Sequence, residues 1–335
     1  MDDAPPNHPW RLCSGPVLRR CADKVAADVR AHALWRRGDT VGWAVSGGLD
    51  SLCGMRLLCA LRRRLGHRLV ALHVDHGVAP TRAHAEALVA AACADLGLPL
   101  HVARVSVPRG PDWEARARHA RYAALADLGD RAGCQVVATG HHADDQAETL
   151  LLRLCRGAGM DALAGILTAR GDGVVRPLLG LTRATLRDLH GSLPWWSDPG
   201  NDDLHPARNR VRHLALPALV AAEPDAVAGL CRSAQALALG RNGARTWMGA
   251  ALAGGWHRDG EALVVERPRV PADRGAWSEL LRWAAETLGA PLPTVRATRQ
   301  FFAVAALGDG RSCRLRGLWV SVTADRYRFE CAPQQ

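Results

Sequence analysis

Ala44-Val45-Ser46-Gly47-Gly48-Leu49-Asp50-Ser51 is the stretch on which the reading of this chain turns. It grows out of an apolar run, Thr40-Val41-Gly42-Trp43-Ala44-Val45, and leads into a helical pattern with apolar or small residues at Leu52, Cys53, Met55, Leu57, Leu58 and Leu61. The order is strand, tight glycine turn, helix. Two glycines tolerate positive φ and let a ligand approach the backbone. Ser46, Ser51 and the first N–H groups of the helix then converge on one spot, where donors and helix dipole favour a phosphate. No lysine follows the glycines, so the Walker pattern is not met. The alternative is a Gly-Gly turn that only caps a helix.

Working outward, residues 15–37 read as an Arg- and Ala-rich helix and 40–46 as the first strand, with a helix to about 65. Residues 69–75 form a mostly apolar run typical of a buried parallel strand. Helical spacing covers 81–96, strands read at 100–105 and 135–139, and helices at 112–133 and 141–156. Strand–helix alternation predicts an α/β fold with a doubly wound parallel sheet. Ligands of such sheets sit at the carboxyl ends of the strands. The informative residues cluster there: 46–51, 75–77 and 140–145. Pro217, Pro224 and nearby acidic residues break the pattern, which predicts a domain boundary near 218. Beyond it, helical patterns at 225–253, 275–288 and 294–306 predict a smaller, mainly helical domain over 219–335, with short antiparallel strands at 312–330.

The length of 335 residues fits two domains, and 48% hydrophobic with 23% charged residues fits an ordinary globular protein. The acidic, proline-containing start is no signal peptide, and no run of 18 apolar residues predicts a membrane span. The net charge of +10 favours an anionic partner such as nucleic acid. Lys24 is the one lysine; codon bias explains the arginine excess without invoking function. The ten cysteines form no C-x-x-C pair and read mostly as small core residues of a reducing compartment, the cytoplasm.

Three further segments carry chemistry. In Gly140-His141-His142-Ala143-Asp144-Asp145-Gln146-Ala147-Glu148-Thr149, helical spacing puts Asp144, Asp145 and Glu148 on one face. Carboxylates there, near a phosphate turn, suit Mg²⁺, or else only complement the helix dipole. His73, Asp75, His76, His141, His142, Asp144 and Asp145 also admit a dinuclear metal cluster. In residues 114–122, Arg118 and Arg121 share a helix face, to clamp phosphate or to meet solvent. Arg208, Asn209 and Arg212 follow Asp198-Pro199-Gly200-Asn201-Asp202 and read as a strip for a nucleic-acid backbone or as surface charge.

The turn resembles the PP-loop of ATP pyrophosphatases. Taken with HVDHG (73–77), EARARHARY (114–122), GHHADDQAETLLLRLCRGAGMDALAG (140–165), RPLL (176–179), DPGNDD (198–203) and RNRVR (208–212), the chain closely resembles bacterial tRNA(Ile)-lysidine synthetases. The resemblance spans roughly 15–220, and 221–306 look like that family's small helical domain. Trp43 replaces a common aliphatic residue, Val78-Ala79 stand where Leu-Arg is frequent, and Gly200 replaces a serine.

The resemblance implies a ligase that adenylates the C2 oxygen of the wobble cytidine of an isoleucine tRNA with a CAU anticodon, releasing pyrophosphate, and then joins the amine of L-lysine to C2 with loss of AMP. ATP and Mg²⁺ are the implied cofactors, and a homodimer is suggested. Ser46, Gly47, Gly48, Leu49, Asp50, Ser51, His73, Asp75, Gly140 and His141 are the candidate ATP-binding residues. Asp50, Asp145, Glu148 and Arg118 are the catalytic candidates, with Asp50 and Asp145 as metal ligands. Arg121, Arg208, Asn209 and Arg212 are candidates for tRNA contact. A PP-loop tRNA thiolase is the nearest rival; its sulfur chemistry usually employs C-x-x-C pairs, absent from this sequence. Amidotransferase, metal phosphohydrolase and non-catalytic RNA-binding readings each leave part of the pattern unexplained.

Overall fold

The computed structural model describes residues 15–75, 82–108, 110, 112–315 and 317–332. Its first half runs α1 (Pro16–Ala31), β1 (Thr40–Ala44), α2 (Leu49–Leu65), β2 (Arg68–Asp75), α3 (Arg82–Leu96), β3 (Leu100–Arg104), α4 (Trp113–Arg131), β4 (Val136–Thr139) and α5 (Ala143–Cys155). After α6 (Met160–Leu163) come β5 (Val174–Val175) and α7 (Arg183–His190). The strands pair in parallel in the order β3-β2-β1-β4-β5. Central strands β1 and β2 are buried almost throughout, which is why they read as continuous apolar runs rather than alternating ones. From β1 the chain first adds β2 and β3 on one side, then β4 and β5 on the other. That reversal opens a crevice at the carboxyl ends of β1 and β4, where loops can hold a ligand.

Trp43 shapes the core beneath this crevice. It is fully buried, and its indole Nε1 donates to the Ser51 carbonyl at 2.8 Å. Gly54 on α2 provides the room: a Cβ there clashes with Cζ2 and Cη2 of the Trp43 ring and falls 2.7 Å from Leu178 Cδ1.

The first half closes with α8 (Ala207–Arg210), a π-helical turn (Val211–Ala215) and α9 (Leu216–Ala222), before the long α10 (Ala226–Ala251). Two compact units result: Met1–Arg156 with Gly165–Ala234, and Gly157–Ala164 with Gln235–Gln335. The division falls inside α10 rather than at the prolines near 218, because Leu216 and Val227 bury against Ala143 and Ala147 of α5.

In the second unit, β6 (Trp256–Asp259), β7 (Ala262–Glu266), β8 (Arg311–Leu315), β9 (Leu318–Val322) and β10 (Arg326–Cys331) form an antiparallel sheet ordered β6-β7-β10-β9-β8. Helices α11 (Arg274–Thr287) and α12 (Val295–Leu307) pack on it, burying Leu280, Leu281 and Phe301 with Val265, Val320 and Phe329. The three helices sit within a residue or two of the expected ones. The hairpin β6–β7 was not anticipated: β6 is exposed along its whole length and so shows no apolar alternation. Among the described residues, no single helix is long and apolar enough to cross a membrane.

Candidate active site

The turn after β1 is stiffened from within. Ser51 Oγ donates to the Gly48 carbonyl at 2.9 Å and accepts from the Ser46 N–H at 3.1 Å. The two serine hydroxyls lie 3.1 Å apart. Gly47 has φ +87°, the left-handed region, and a Cβ there falls 3.2 Å from the Ala85 carbonyl of α3. Its own carbonyl accepts from the Trp196 N–H at 2.9 Å. The turn thus delivers the N-terminus of α2 and both hydroxyls to a cavity of about 520 Å³.

That cavity is lined by Ser46, Gly48, Leu49, Asp50, Ser51, His73, Asp75, Gly140, His141, Asp145, Arg118, Arg121, Arg208 and Arg212, among others. The structure therefore brings together most of the residues singled out from sequence. Gly47, Glu148 and Asn209 are not on the wall. Asn209 instead ties the preceding loop, its Nδ2 donating to the carbonyls of Gly200 at 3.0 Å and Asp203 at 2.7 Å. His76 and Gly77, along with Val78-Ala79, lie outside the described residues.

Helix α5 starts at the crevice. Its cap, His142, donates its N–H to Asp145 Oδ2 at 3.0 Å. The His142 ring sits between three carboxylates: Nε2 is 3.5 Å from Asp50 Oδ2 and from Asp145 Oδ2, and Nδ1 is 3.5 Å from Asp144 Oδ2. Burial works to lower its pKa, but hydrogen bonds to Asp144 and Asp50 and the charge of Asp145 outweigh it and push it up to about 10. His142 is thus an internal cation. Burial opposes ionisation of Asp145, yet His142, Arg208 and His141 draw its pKa down to about 2. His141 goes the other way, to about 3, through burial and then the charges of Arg176, Arg121 and Arg118, against the pull of Asp145. Its Nδ1 lies 2.8 Å from the Thr139 hydroxyl.

Opposite stand the two arginines of 208–212. Arg208 donates from Nη2 to Asp145 Oδ1 at 2.8 Å and from Nε to Glu148 Oε2 at 2.9 Å. Arg212 donates from Nε to Glu148 Oε1 at 2.6 Å and from Nη2 to Glu148 Oε2 at 3.0 Å and Asp145 Oδ1 at 3.2 Å. Glu148, only 1% exposed, has both oxygens occupied and acts as the floor of this box rather than as a surface ligand. The π-helical turn that begins at Val211 carries Arg212; such turns often mark functional sites.

Three wall residues escaped the sequence reading. Trp195 and Trp196 close the cavity beside the glycine turn, and Arg183 enters from α7, its backbone N–H donating to Asp144 Oδ2 at 2.7 Å. Nothing in their local spacing marks them; they arrive by tertiary folding. The adjacent pair Trp195-Trp196 was the one available signal.

A divalent cation would find an open protein oxygen here in Asp50 Oδ1, which is buried without a hydrogen-bond partner. The oxygens of Asp145 are engaged by His142, Arg208 and Arg212. Mg²⁺ commonly uses one or two carboxylates with substrate phosphates and water. The donor set fits an ion carried in on a nucleotide, with Asp50 as its protein ligand. It does not fit a dinuclear centre: the described residues contain no cluster of three or more metal-ligating side chains, and the His142 ring is already enclosed by the carboxylates of Asp50, Asp144 and Asp145.

Residues 20–219 match the family model of the PP-loop domain. The chain is 41% identical over 304 residues to a tRNA(Ile)-lysidine synthase of Salinispora tropica, covering 86% of this chain and 90% of that one. It is 44% identical over 215 residues to a tRNA(Ile)-lysidine synthase of Pseudomonas aeruginosa, covering 62% of this chain and 48% of the relative, so it spans about half that protein's length. In fold it is similar to a U34-tRNA thiolase of Methanococcus maripaludis, with a TM-score of 0.56 at 18% identity over 66% of this chain and 79% of that one.

Proposed function

This chain belongs to the tRNA(Ile)-lysidine synthase family of PP-loop proteins, and from that premise we propose that it ligates L-lysine to C2 of the wobble cytidine of an isoleucine tRNA with a CAU anticodon. The observation that carries the reading is one cavity holding both the Ser46–Ser51 phosphate turn and the Asp145 carboxylate box. ATP binds with its phosphates on the turn. The cytidine C2 oxygen attacks the α-phosphorus, and the bond to the β-phosphate breaks to release pyrophosphate. The lysine amine then bonds to C2, the C2–oxygen bond breaks, and AMP leaves with that oxygen.

Each step makes a demand that named residues meet. Charge building on pyrophosphate is offset by the N–H groups of α2 and the Ser46 and Ser51 hydroxyls. Asp50 would hold a Mg²⁺ ion, which would supply further charge neutralisation on the phosphates. Arg208 and Arg212 fix Asp145 and Glu148 in orientation, and Asp145, facing the cavity, turns its negative charge toward the lysine ammonium, which sheds its proton to water. A wobble base in a single-stranded loop is cheap to unstack into such a cavity. The first unit, which ends within α10, carries this ATP-dependent chemistry, and the second contributes to gripping the tRNA, in keeping with the +10 charge. The reaction belongs in the cytoplasm.

The test is incorporation of labelled lysine into unmodified isoleucine tRNA, with ATP and Mg²⁺, by wild type and by Asp145→Asn. The asparagine Oδ still accepts from the His142 N–H, so the start of α5 survives while the charge is lost. Wild type is expected to incorporate lysine and the variant to lose at least about a hundredfold of that rate. Incorporation without ATP, or none by folded wild type, contradicts the proposal.

A further inference from the structure

One part of the EARARHARY segment has no role in the chemistry above: Tyr122. Its ring is surrounded by guanidinium groups. The Cζ atoms of Arg118 and Arg170 lie 5.0 Å from the ring centroid, and that of Arg121 lies 5.6 Å away. Arg118 Nη2 donates to the Tyr122 hydroxyl at 3.4 Å, and Arg176, itself 3% exposed, lies close enough to the same hydroxyl for its charge to favour the ionised phenol. Arg176 is held from behind, its Nη1 donating to the Leu167 carbonyl at 2.5 Å.

Four guanidinium groups around one phenol repel each other. Of the four, Arg170 alone forms an ion pair with a carboxylate among the described residues, with Asp172 at 2.5 Å. Nε–H of Arg121 and of Arg176 are buried donors with no acceptor. Buried donors left open are costly, and like charges gathered without counter-charge are costly too. Both costs fall when an anion sits among them. Arg118 and Arg121 face the same cavity as the Ser46–Ser51 turn. An aromatic face attracts guanidinium groups without itself carrying a charge.

We propose that Tyr122 is a positioning residue whose ring and hydroxyl gather Arg118, Arg121, Arg170 and Arg176 into a platform for a substrate phosphate group. This rests on the ligase reading for the identity of the substrates, but not for the platform itself. The phosphate belongs either to the nucleotide polyphosphate or to the RNA backbone. Bidentate guanidinium recognition suits both.

The experiment compares full-length Tyr122→Leu, Tyr122→Phe and Arg170→Gln with wild type. It measures kcat and KM for ATP and for tRNA, and, independently of turnover, equilibrium binding of inorganic pyrophosphate and of unmodified tRNA. Tyr122→Leu is expected to raise one KM, and weaken binding of the corresponding probe, by about tenfold, with kcat changed much less. Tyr122→Phe, which keeps the ring, should recover most of the loss, and Arg170→Gln should weaken the same probe. A rise confined to ATP and pyrophosphate assigns the platform to the nucleotide; one confined to tRNA assigns it to the RNA backbone. If Leu unfolds the protein, Phe and Arg170→Gln still decide. Unchanged binding of both probes in all folded variants, or a fall in kcat alone, overturns the proposal. Wild type that binds both probes but transfers no lysine refutes the ligase reading and leaves the platform tested on its own.

Discussion

Gly54 shows how a single residue couples the core to the site. Replacing glycine by alanine inside a helix ordinarily stabilises by about 0.5–1 kcal/mol. Here the added methyl collides with Trp43, whose indole holds the Ser51 carbonyl at the phosphate turn. Gly54→Ala is therefore expected to destabilise by about 1–3 kcal/mol in denaturant unfolding, the cost of overpacking; a gain would show that the contact relaxes freely. His67 makes a second case. It is 4% exposed and packs edge-on to Trp35 at 5.3 Å between centroids. Burial, aided by the charge of Arg62 and opposed by the Leu58 carbonyl, lowers its pKa from 6.5 to about 4. A base with a depressed folded pKa gives stability that is present above pH 6.5 and lost as pH falls toward 4. Unfolding free energy should therefore fall across that window, and His67→Phe should flatten the fall. At this scale the sequence was informative about residues in local motifs, such as Ser46, Asp50 and Asp145. It was silent on Arg183, Trp195 and Trp196, which lie 132 or more positions after Ser51 and come to the cavity only through folding.

Elements repeat that contrast. Strands β1 to β4 and helices α2 to α5 were legible because buried parallel strands and amphipathic helices write strong local patterns. The exposed strand β6 writes none. The rival reading of His141 and His142 as part of a metal cluster fails for a related reason: sequence shows the two rings but not that one is buried among arginines and the other among carboxylates. Caps are more readable. Asp273 accepts from the N–H groups of Gly275 at 2.7 Å and Ala276 at 3.0 Å, closing the start of α11. Asp273→Ala should cost about 1 kcal/mol. Faster amide exchange at the first turn of α11 is the check; unchanged exchange would mean that water replaces the cap without loss.

At the scale of the whole molecule, the chain leaves its first unit after α5 and lends residues 157–164 to the second before returning. Asp161 on that segment is largely buried and pairs with Arg282 and, at 3.7 Å, with Arg245. Removing one partner of a buried pair commonly costs about 3 kcal/mol. Asp161→Ala should therefore speed hydrogen exchange in α11 while leaving β1 unchanged; equal effects on both would mean that the segment is not an anchor of the second unit. In the proposed reaction the Ser46–Ser51 turn grips pyrophosphate while an adenylate is transferred to tRNA. The most direct measurement is the identity of the nucleotide products formed during lysine transfer. AMP and pyrophosphate, each formed in equal amount to the lysine incorporated, are the predicted result; ADP and phosphate, or lysine transfer without ATP consumption, would contradict it.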